Sequence, residues 1–222
     1  MANNTNWLPF QQPLNYILVT GAGSTLPVSL SDVKTWLKVP NTLTVDDNLI
    51  TALIKSAAAT FEKITGRDLI NKTYKTYLDS FPCIDGLNYY TGVSSLALKY
   101  NDNGIVLRKS KLQSITSIQY YLNGVLTAFS SANYYITDLP DYSAIYLVAD
   151  KEFPSDIDIR KQAVVINFVA GYGSSDASVP EDAKQALLQF ITYLYENRGD
   201  CGSSKDMQVG MDLFSQFKII DF

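Results

Sequence analysis

Three short segments of the chain have residue types and spacings that could do chemistry, and the first is Gly21-Ala22-Gly23. It follows an apolar run, 17–20, as the opening glycines of a dinucleotide-binding loop do. That chemistry also needs a third glycine and an immediate helix, whose N-terminus holds the pyrophosphate. Because the third glycine is missing and Pro27 intervenes, we interpret the segment as a flexible turn. A nucleotide-dependent enzyme is the weaker alternative.

The other two segments are aspartate pairs, which could bind a metal or exchange protons. Asp46 and Asp47 stand where an amphipathic pattern begins, and the helix dipole favours acids there. Asp156 and Asp158 follow Pro154 in a polar loop. A carboxylate pair is catalytic only where a pocket shifts its pKa values, and the sequence indicates no such pocket. We therefore interpret the first pair as helix capping and neither pair as a site.

The composition argues against catalysis and against metal binding. The chain has no histidine, which removes the usual general base and the commonest metal ligand. Its two cysteines, Cys83 and Cys201, are far apart and neither has a Cys-x-x-Cys partner, so no zinc site is expected. A single disulfide remains possible, but two thiols in a reducing cytosol are favoured. We predict a protein that is not an enzyme, with no catalytic residues, no metal and no cofactor.

Length and charge exclude further classes. The 222 residues suit one domain. The net charge of −4 does not attract a phosphate backbone, so sequence-specific DNA binding is not expected. No Lys or Arg precedes the first apolar residues, so no signal peptide is predicted. No apolar run approaches the length of about 18 residues that a membrane span needs.

Two helices are predicted within residues 29–66. Ser29 can cap the first, and Pro40 ends it. The second is predicted to begin at Thr44, and its apolar residues recur at three- and four-residue spacing, which indicates one buried face. Gly66 closes it. The apolar residues of the second helix are Leu49, Ile50, Leu53, Ile54, Ala57, Phe61 and Ile64.

The stretch from about 69 to 172 is predicted to be β, because short runs rich in Thr, Tyr, Val and Ile alternate with turn residues. Asn123-Gly124 is the strongest hairpin signal, since both residues accept the positive φ angles of a type I′ turn. An amphipathic helix, 180–198, follows, and Ser178 and Glu181 are predicted to form its capping box. The predicted strands are 72–79, 105–107, 115–122, one from 125 onward, 134–137, 144–148 and 163–170.

These elements predict an α+β fold. The last helix is expected to pack against the first two, so that a helical body carries an inserted antiparallel sheet or small sandwich. The predicted parts are an extended N-terminal arm (1–28), a single domain (29–198) and a C-terminal tail (199–222).

Both chain ends carry apolar side chains, although chain ends are usually polar and frayed. Two alternatives stand for the tail. It folds back over its own core, or it docks on another subunit in a groove or as an added strand. The same alternatives apply to the N-terminal arm. The predicted partner-contacting residues are Trp7, Phe10, Tyr16, Met211, Leu213, Phe214, Phe217, Ile219, Ile220 and Phe222.

Tyrosine is abundant in the β stretch, and a Tyr-rich sheet could stack on sugars. The favoured alternative is sheet packing, because aromatic residues are enriched in strands and consecutive side chains point to opposite faces. The tyrosines concerned are Tyr89, Tyr90, Tyr120, Tyr121, Tyr134, Tyr135, Tyr142 and Tyr146.

The order of elements and several phrases resemble the head–tail connector (adaptor) proteins of tailed bacteriophages. The family's opening helices resemble VSLSDVKTWLKVP (28–40) and DDNLITALIKSAAATFEKITGRDLI (46–70). Its later strands and final helix resemble LQSITSIQYY (112–121), VVINFVAGYG (164–173) and VPEDAKQALLQFITYLYENRGD (179–200). The likeness covers about residues 28–200, and the long apolar arms depart from the family pattern.

The resemblance implies a non-enzymatic virion protein that is assembled in the host cytoplasm and forms a ring, usually of twelve copies, in the neck beneath the portal. The ring would contact the portal and a tail, stopper or tail-completion protein. Genomic DNA would pass through it without sequence-specific binding, and no membrane contact is expected. The rival, from another class, is a virion surface β-module that binds glycans through the Tyr-rich sheet.

Overall fold

Three helices share one apolar core. The structure is a computed structural model, and it describes residues 16–82, 104–107, 109, 111–138, 142–198 and 212–219. The helices are α1 (Leu30–Trp36), α2 (Asp47–Thr65) and α3 (Glu181–Glu196), and a short helical segment, 212–215, adds Phe214 to the same core. The Ser29 hydroxyl accepts a hydrogen bond from the Asp32 N–H at 3.1 Å, so it caps α1 as predicted. Gly66 ends α2 with a φ of 75°, in the left-handed region that suits glycine.

The helical core consists of the faces that the apolar spacing predicted, except that Leu49 is exposed. α3 packs with α1 and α2, as expected for a body built from the two ends of the domain. The fully or almost fully buried residues include Val33, Ile50, Ile54, Ala57, Phe61, Ala183, Ala186, Leu187, Phe190 and Ile191.

The β part is two antiparallel sheets with a common core, which confirms the α+β class. The first has the order β1-β2-β8-β4-β5 and the second β3-β7-β6. Both sheets contribute to the second apolar cluster, in which Ile105 and Ile145 from the smaller sheet meet Ile166 and Phe168 from the larger one. The strands are β1 (Ile17–Thr20), β2 (Lys72–Leu78), β3 (Ile105–Leu107), β4 (Leu112–Leu122), β5 (Val125–Phe129), β6 (Tyr134–Asp138), β7 (Ser143–Leu147) and β8 (Val164–Ala170).

The predicted hairpin joins β4 to β5. Asn123 and Gly124 have φ angles of 52° and 78°, and Leu122 lies opposite Val125. Both central residues of the two-residue turn therefore adopt the positive φ angles that a type I′ turn requires.

One expectation about the start of a helix is wrong. The capping box of Ser178 and Glu181 does not form, because Val179 and Pro180 are extended and Ser178 closes a separate 3-10 turn. α3 begins beyond the reach of that hydroxyl, and its N-cap position, Pro180, makes no side-chain hydrogen bond. Within the predicted extended N-terminal arm, residues 17–20 form a strand that pairs with β2.

Candidate assembly surfaces

Within the described ranges, no group of three or more Cys, Asp or Glu side chains could hold a metal ion. The described helices include none that is long and apolar enough to cross a membrane. Cys83 and Cys201 lie outside the described residues.

The glycine segment is a turn between β1 and the helical body. The Ala22 carbonyl accepts a hydrogen bond from the Thr25 N–H at 3.3 Å, and Gly23 has a φ of 65°. α1 begins only at Leu30. The segment therefore lacks the adjoining helix N-terminus that would hold a pyrophosphate.

The first aspartate pair connects helices. Asp46 occupies the N-cap position and Asp47 lies in the first turn, as predicted, but no side-chain hydrogen bond caps α2. Asp46 Oδ2 accepts a hydrogen bond from the Tyr195 hydroxyl of α3 at 2.7 Å. Asp47 Oδ1 lies 2.8 Å from Lys34 Nζ of α1. The partners supplied by the neighbouring helices bind both carboxylates and fix the start of α2 to α1 and α3.

Lys34 is buried with 2% of its surface exposed, and it fixes the connection between α1 and α2. Its ammonium lies 3.1 Å from the Asn41 carbonyl, 2.6 Å from the Leu43 carbonyl and 2.8 Å from Asp47. An ammonium has three donors, and all three are used. Val45, on the same connection, is nevertheless 83% exposed.

Asp158 of the second pair fixes the β4–β5 turn. Its two carboxylate oxygens accept hydrogen bonds from the N–H groups of Asn123 and Gly124, each at 2.8 Å. The Asp158 N–H in turn donates to the Tyr121 carbonyl at 2.9 Å. The carboxylate therefore has a structural role, and the turn and the loop around residue 158 form one unit.

A charged network joins α2 to the larger sheet around Asp68, which is 1% exposed. The Tyr74 hydroxyl donates to Asp68 at 2.7 Å, and the ammonium groups of Lys72 and Lys109 each lie 3.1 Å from it. Lys72 also pairs with Glu62. Burial and the nearby Asp68 carboxylate raise the pKa of Tyr74. Burial lowers the pKa of Lys72, but Glu62 and Asp68 outweigh it and raise that pKa overall. The charged and hydroxyl groups of this network bind one another, so we interpret the network as structural.

Of the ten predicted partner-contacting residues, five lie within the described ranges. In the tail, Phe214 is fully buried, with its ring edge-on to Phe61 at 5.1 Å and to Phe190 at 5.2 Å. Phe217 lies 5.4 Å from Phe61, and Leu213 packs against the same cluster. In the arm, Tyr16 lies edge-on to Phe168 at 5.8 Å. Trp7, Phe10, Met211, Ile220 and Phe222 lie outside the described residues.

Backbone contacts hold the tail as well. The Ile219 N–H donates to the Thr65 carbonyl at 2.9 Å, and Arg67 Nε donates to the Phe217 carbonyl at 2.6 Å. Of the two alternatives for the tail, residues 212–219 therefore adopt the one in which the tail folds back over its own core. In this chain Phe214 and Ile219 are core residues, because their side chains are buried within it.

Tyr120 and Tyr121 pack within the chain, as the sheet alternative expects. Tyr120 lies edge-on to Phe81 in the apolar cluster, while the guanidinium of Arg160 lies 3.9 Å from the ring centre of its neighbour Tyr121. The two consecutive rings therefore serve opposite faces. Tyr89 and Tyr90 lie outside the described residues.

Exposed apolar side chains lie on the two outermost strands of the larger sheet. On β1, Ile17, Leu18 and Val19 are 49%, 52% and 55% exposed. On β5, Val125 and Leu126 are 64% and 40% exposed, and Ile159, in the loop before β8, is 107% exposed. Sequence reasoning identified the β1 residues as apolar but missed the second group. The signal was available, because Val125 and Leu126 directly follow the predicted hairpin turn.

Residues 27–103 match the family model of the phage gp6-like head-tail connector protein. This range contains α1, α2 and β2. The resemblance to the head–tail connector family is thereby confirmed.

Solved structures extend the likeness to nearly the whole chain. A chain in the neck of the empty gene transfer agent particle, computed with C6 symmetry, has a TM-score of 0.67 at 18% identity, over 94% of this chain and 97% of that one. A chain in the native gene transfer agent virion has a TM-score of 0.67 at 19% identity, and the match covers 93% of this chain and 96% of that one. A chain in the neck of the native gene transfer agent particle, computed with C12 symmetry, has a TM-score of 0.65 at 20% identity, and the match covers 94% of this chain and 96% of that one. No curated protein matches the chain. At these identities the structures show that the fold is shared with neck proteins.

Proposed function

We propose that this protein is the connector of the neck of a tailed phage or phage-like particle, a structural ring between the portal and the tail. The observation that carries the proposal is the shared fold, which extends over 93–94% of this chain and 96–97% of the neck and virion chains. The family match to residues 27–103 supports the same role from sequence. Both comparisons support a non-enzymatic protein located in the virion neck.

The ring form is supported by the C6 and C12 symmetries of the similar particles. We propose twelve copies, with the portal on one side and a tail, stopper or tail-completion protein on the other. Twelve copies at −4 each carry −48, and an acidic channel repels DNA and lets it slide. The predicted arm residues remain proposed partner contacts where the chain's own core does not bury them.

The test is to mix the purified protein with the portal from the same genome and to image the product by electron microscopy. A ring that caps the narrow end of the portal is the expected product. If no complex forms while the portal itself is intact, the connector role is refuted.

The glycan-binding alternative gains no support from the comparisons. Within the described residues, Tyr120, Tyr121, Tyr134, Tyr135 and Tyr146 each have an intramolecular ring or cation contact.

A further inference from the structure

Asn123 and Gly124, which form the β4–β5 turn, are a residue pair that can alter its own covalent structure. The Gly124 nitrogen, after giving its proton to hydroxide, can bond to Cγ of Asn123, and glycine has no side chain to obstruct that approach. The Cγ–Nδ2 bond then breaks, and ammonia leaves once the departing nitrogen has taken a proton from water. Water opens the resulting succinimide ring to aspartate or isoaspartate. Both residues are exposed, so water and hydroxide reach them.

The geometry of the turn keeps the two reacting atoms apart. Asn123 and Gly124 have φ angles of 52° and 78°, and the first central residue of a type I′ turn has a ψ of about 30°. At that ψ the Gly124 nitrogen is roughly anti to Cβ of Asn123, whereas ring closure needs the two atoms eclipsed. The Cα–C bond of Asn123 must therefore rotate by about 150° before the nitrogen reaches Cγ, and this rotation opens the turn.

Asp158 opposes that rotation. Its carboxylate oxygens accept hydrogen bonds from the N–H groups of both turn residues, each at 2.8 Å, and hydrogen bonds to a carboxylate are among the strong ones. Asp158 also keeps the attacking nitrogen protonated, because loss of that proton would place an anion beside a carboxylate, and like charges disfavour ionisation. The carboxylate itself is fixed, since the Asp158 N–H donates to the Tyr121 carbonyl at 2.9 Å.

We propose that Asn123 is a latent deamidation site and that Asp158 controls its rate by holding the Gly124 N–H. A variant without this carboxylate frees the turn to open locally while the rest of the chain stays folded. The hydrogen bond to Gly124 must break before the ring closes, so its loss should raise the rate about ten- to a hundredfold. The inference is independent of the ring proposed above, because it needs only the folded protomer.

Deamidation at this position would change the end of the larger sheet. Isoaspartate routes the backbone through Cγ and so adds one carbon atom to the turn, and Leu122 would then no longer lie opposite Val125 as it does in the intact hairpin. Aspartate keeps the backbone but places a second carboxylate beside Asp158, where like charges repel. Either product would displace the start of β5, on which Val125 and Leu126 are exposed. The hydrogen bonds from the turn to Asp158 therefore preserve this part of the surface.

Peptide mapping by mass spectrometry, after incubation at mildly alkaline pH, measures the rate at Asn123, because deamidation exchanges the side-chain NH2 for OH and isoaspartate elutes separately from aspartate. The wild-type chain in urea, which lacks the turn, gives the unprotected rate. In the folded state Asp158→Ala is expected to deamidate about ten- to a hundredfold faster than wild type. Asp156→Ala is the matched control, since Asp156 is exposed on the same loop, and it should leave the rate unchanged.

Two further measurements separate protection by Asp158 from the stability of the whole chain. Lys34→Met removes an ion pair between α1 and α2, and it should leave the Asn123 rate unchanged while circular dichroism shows folded protein. Asn103 belongs to the second Asn-Gly pair of the sequence and lies outside the described residues. Its own rate, measured in the same digest, reports any effect of Asp158→Ala on the chain in general.

Three results would overturn the inference. They are equal rates at Asn123 in folded wild type and Asp158→Ala; a wild-type rate in the folded state that equals the rate in urea; and a rise in Lys34→Met as large as that in Asp158→Ala. If Asp158→Ala fails to fold, Asp158→Asn takes its place. This variant keeps the size of the side chain but sets an NH2 group against one of the two N–H groups of the turn, so it too should deamidate faster than wild type.

Discussion

Removal of the Phe214 ring tests whether the tail belongs to the helical core. Phe214→Ala deletes a side chain that is 0% exposed and lies edge-on between Phe61 and Phe190. Replacing a buried phenylalanine by alanine costs about 3–5 kcal/mol, since it loses apolar transfer energy and leaves a cavity. For a domain of this size that corresponds to a fall in Tm of roughly 10 °C.

The measurement is urea unfolding followed by circular dichroism, with Lys218→Ala as the control. Lys218 lies in the same segment but is exposed, so its replacement should change the free energy of unfolding by less than about 0.5 kcal/mol. If the tail only docked on another subunit, a chain without 207–222 would still fold as stably as the full chain. Because Phe214 lies in the core, we expect that truncation to destabilise the chain at least as much as Phe214→Ala. A cost below about 1 kcal/mol for Phe214→Ala would refute the reasoning, because partial burial of an aromatic ring already contributes more.

Three further predictions concern buried groups. The raised pKa of Tyr74 keeps its hydroxyl protonated above pH 10, where the same group ionises in the unfolded chain. The folded state then binds one more proton at this position, so Tyr74 should contribute a fall in the free energy of unfolding of about 1.4 kcal/mol per pH unit above about pH 10, and the slope measured by urea unfolding of Tyr74→Phe should be smaller by that amount. Lys34→Met leaves two carbonyls and Asp47 without their ammonium, and should cost about 2 kcal/mol in the same assay, whereas an unchanged midpoint would show that solvent replaces it. Gly171→Ala places a Cβ 2.7 Å from the backbone of Asn71 at a φ of +140°, so it should lower the Tm far more than Gly124→Ala, whose Cβ would meet open space.

The elements of this fold could be predicted because each has a local pattern. α2 was predicted from Thr44 to Gly66 and runs from Asp47 to Thr65, since three- and four-residue spacing identifies a buried face without knowledge of its partner. The β4–β5 hairpin was predictable for the same reason, because Asn-Gly determines its turn geometry through its own φ angles.

The roles of the charged residues could not be predicted, because their partners are distant in sequence. Asp46 precedes a helix and therefore resembled a cap, yet its carboxylate binds Tyr195, 149 residues away. Asp158 resembled a loop residue, yet it binds the turn 34 and 35 residues before it. A carboxylate takes the strongest donor within reach, and only the assembled fold determines which donor that is.

The tail and the sheet edges show why apolar composition alone does not identify an assembly surface. The tail, with Phe214, and the strand ends, with Val125, are both apolar in sequence, but the helical core buries Phe214 completely and leaves Val125 mostly exposed. A residue already packed inside its own chain can meet a partner only if that packing is first broken, at a cost of several kcal/mol for a phenylalanine. An exposed side chain on a fixed turn has no such cost. Exposed apolar side chains such as Val125 are therefore better placed for an assembly contact than the buried core of the tail.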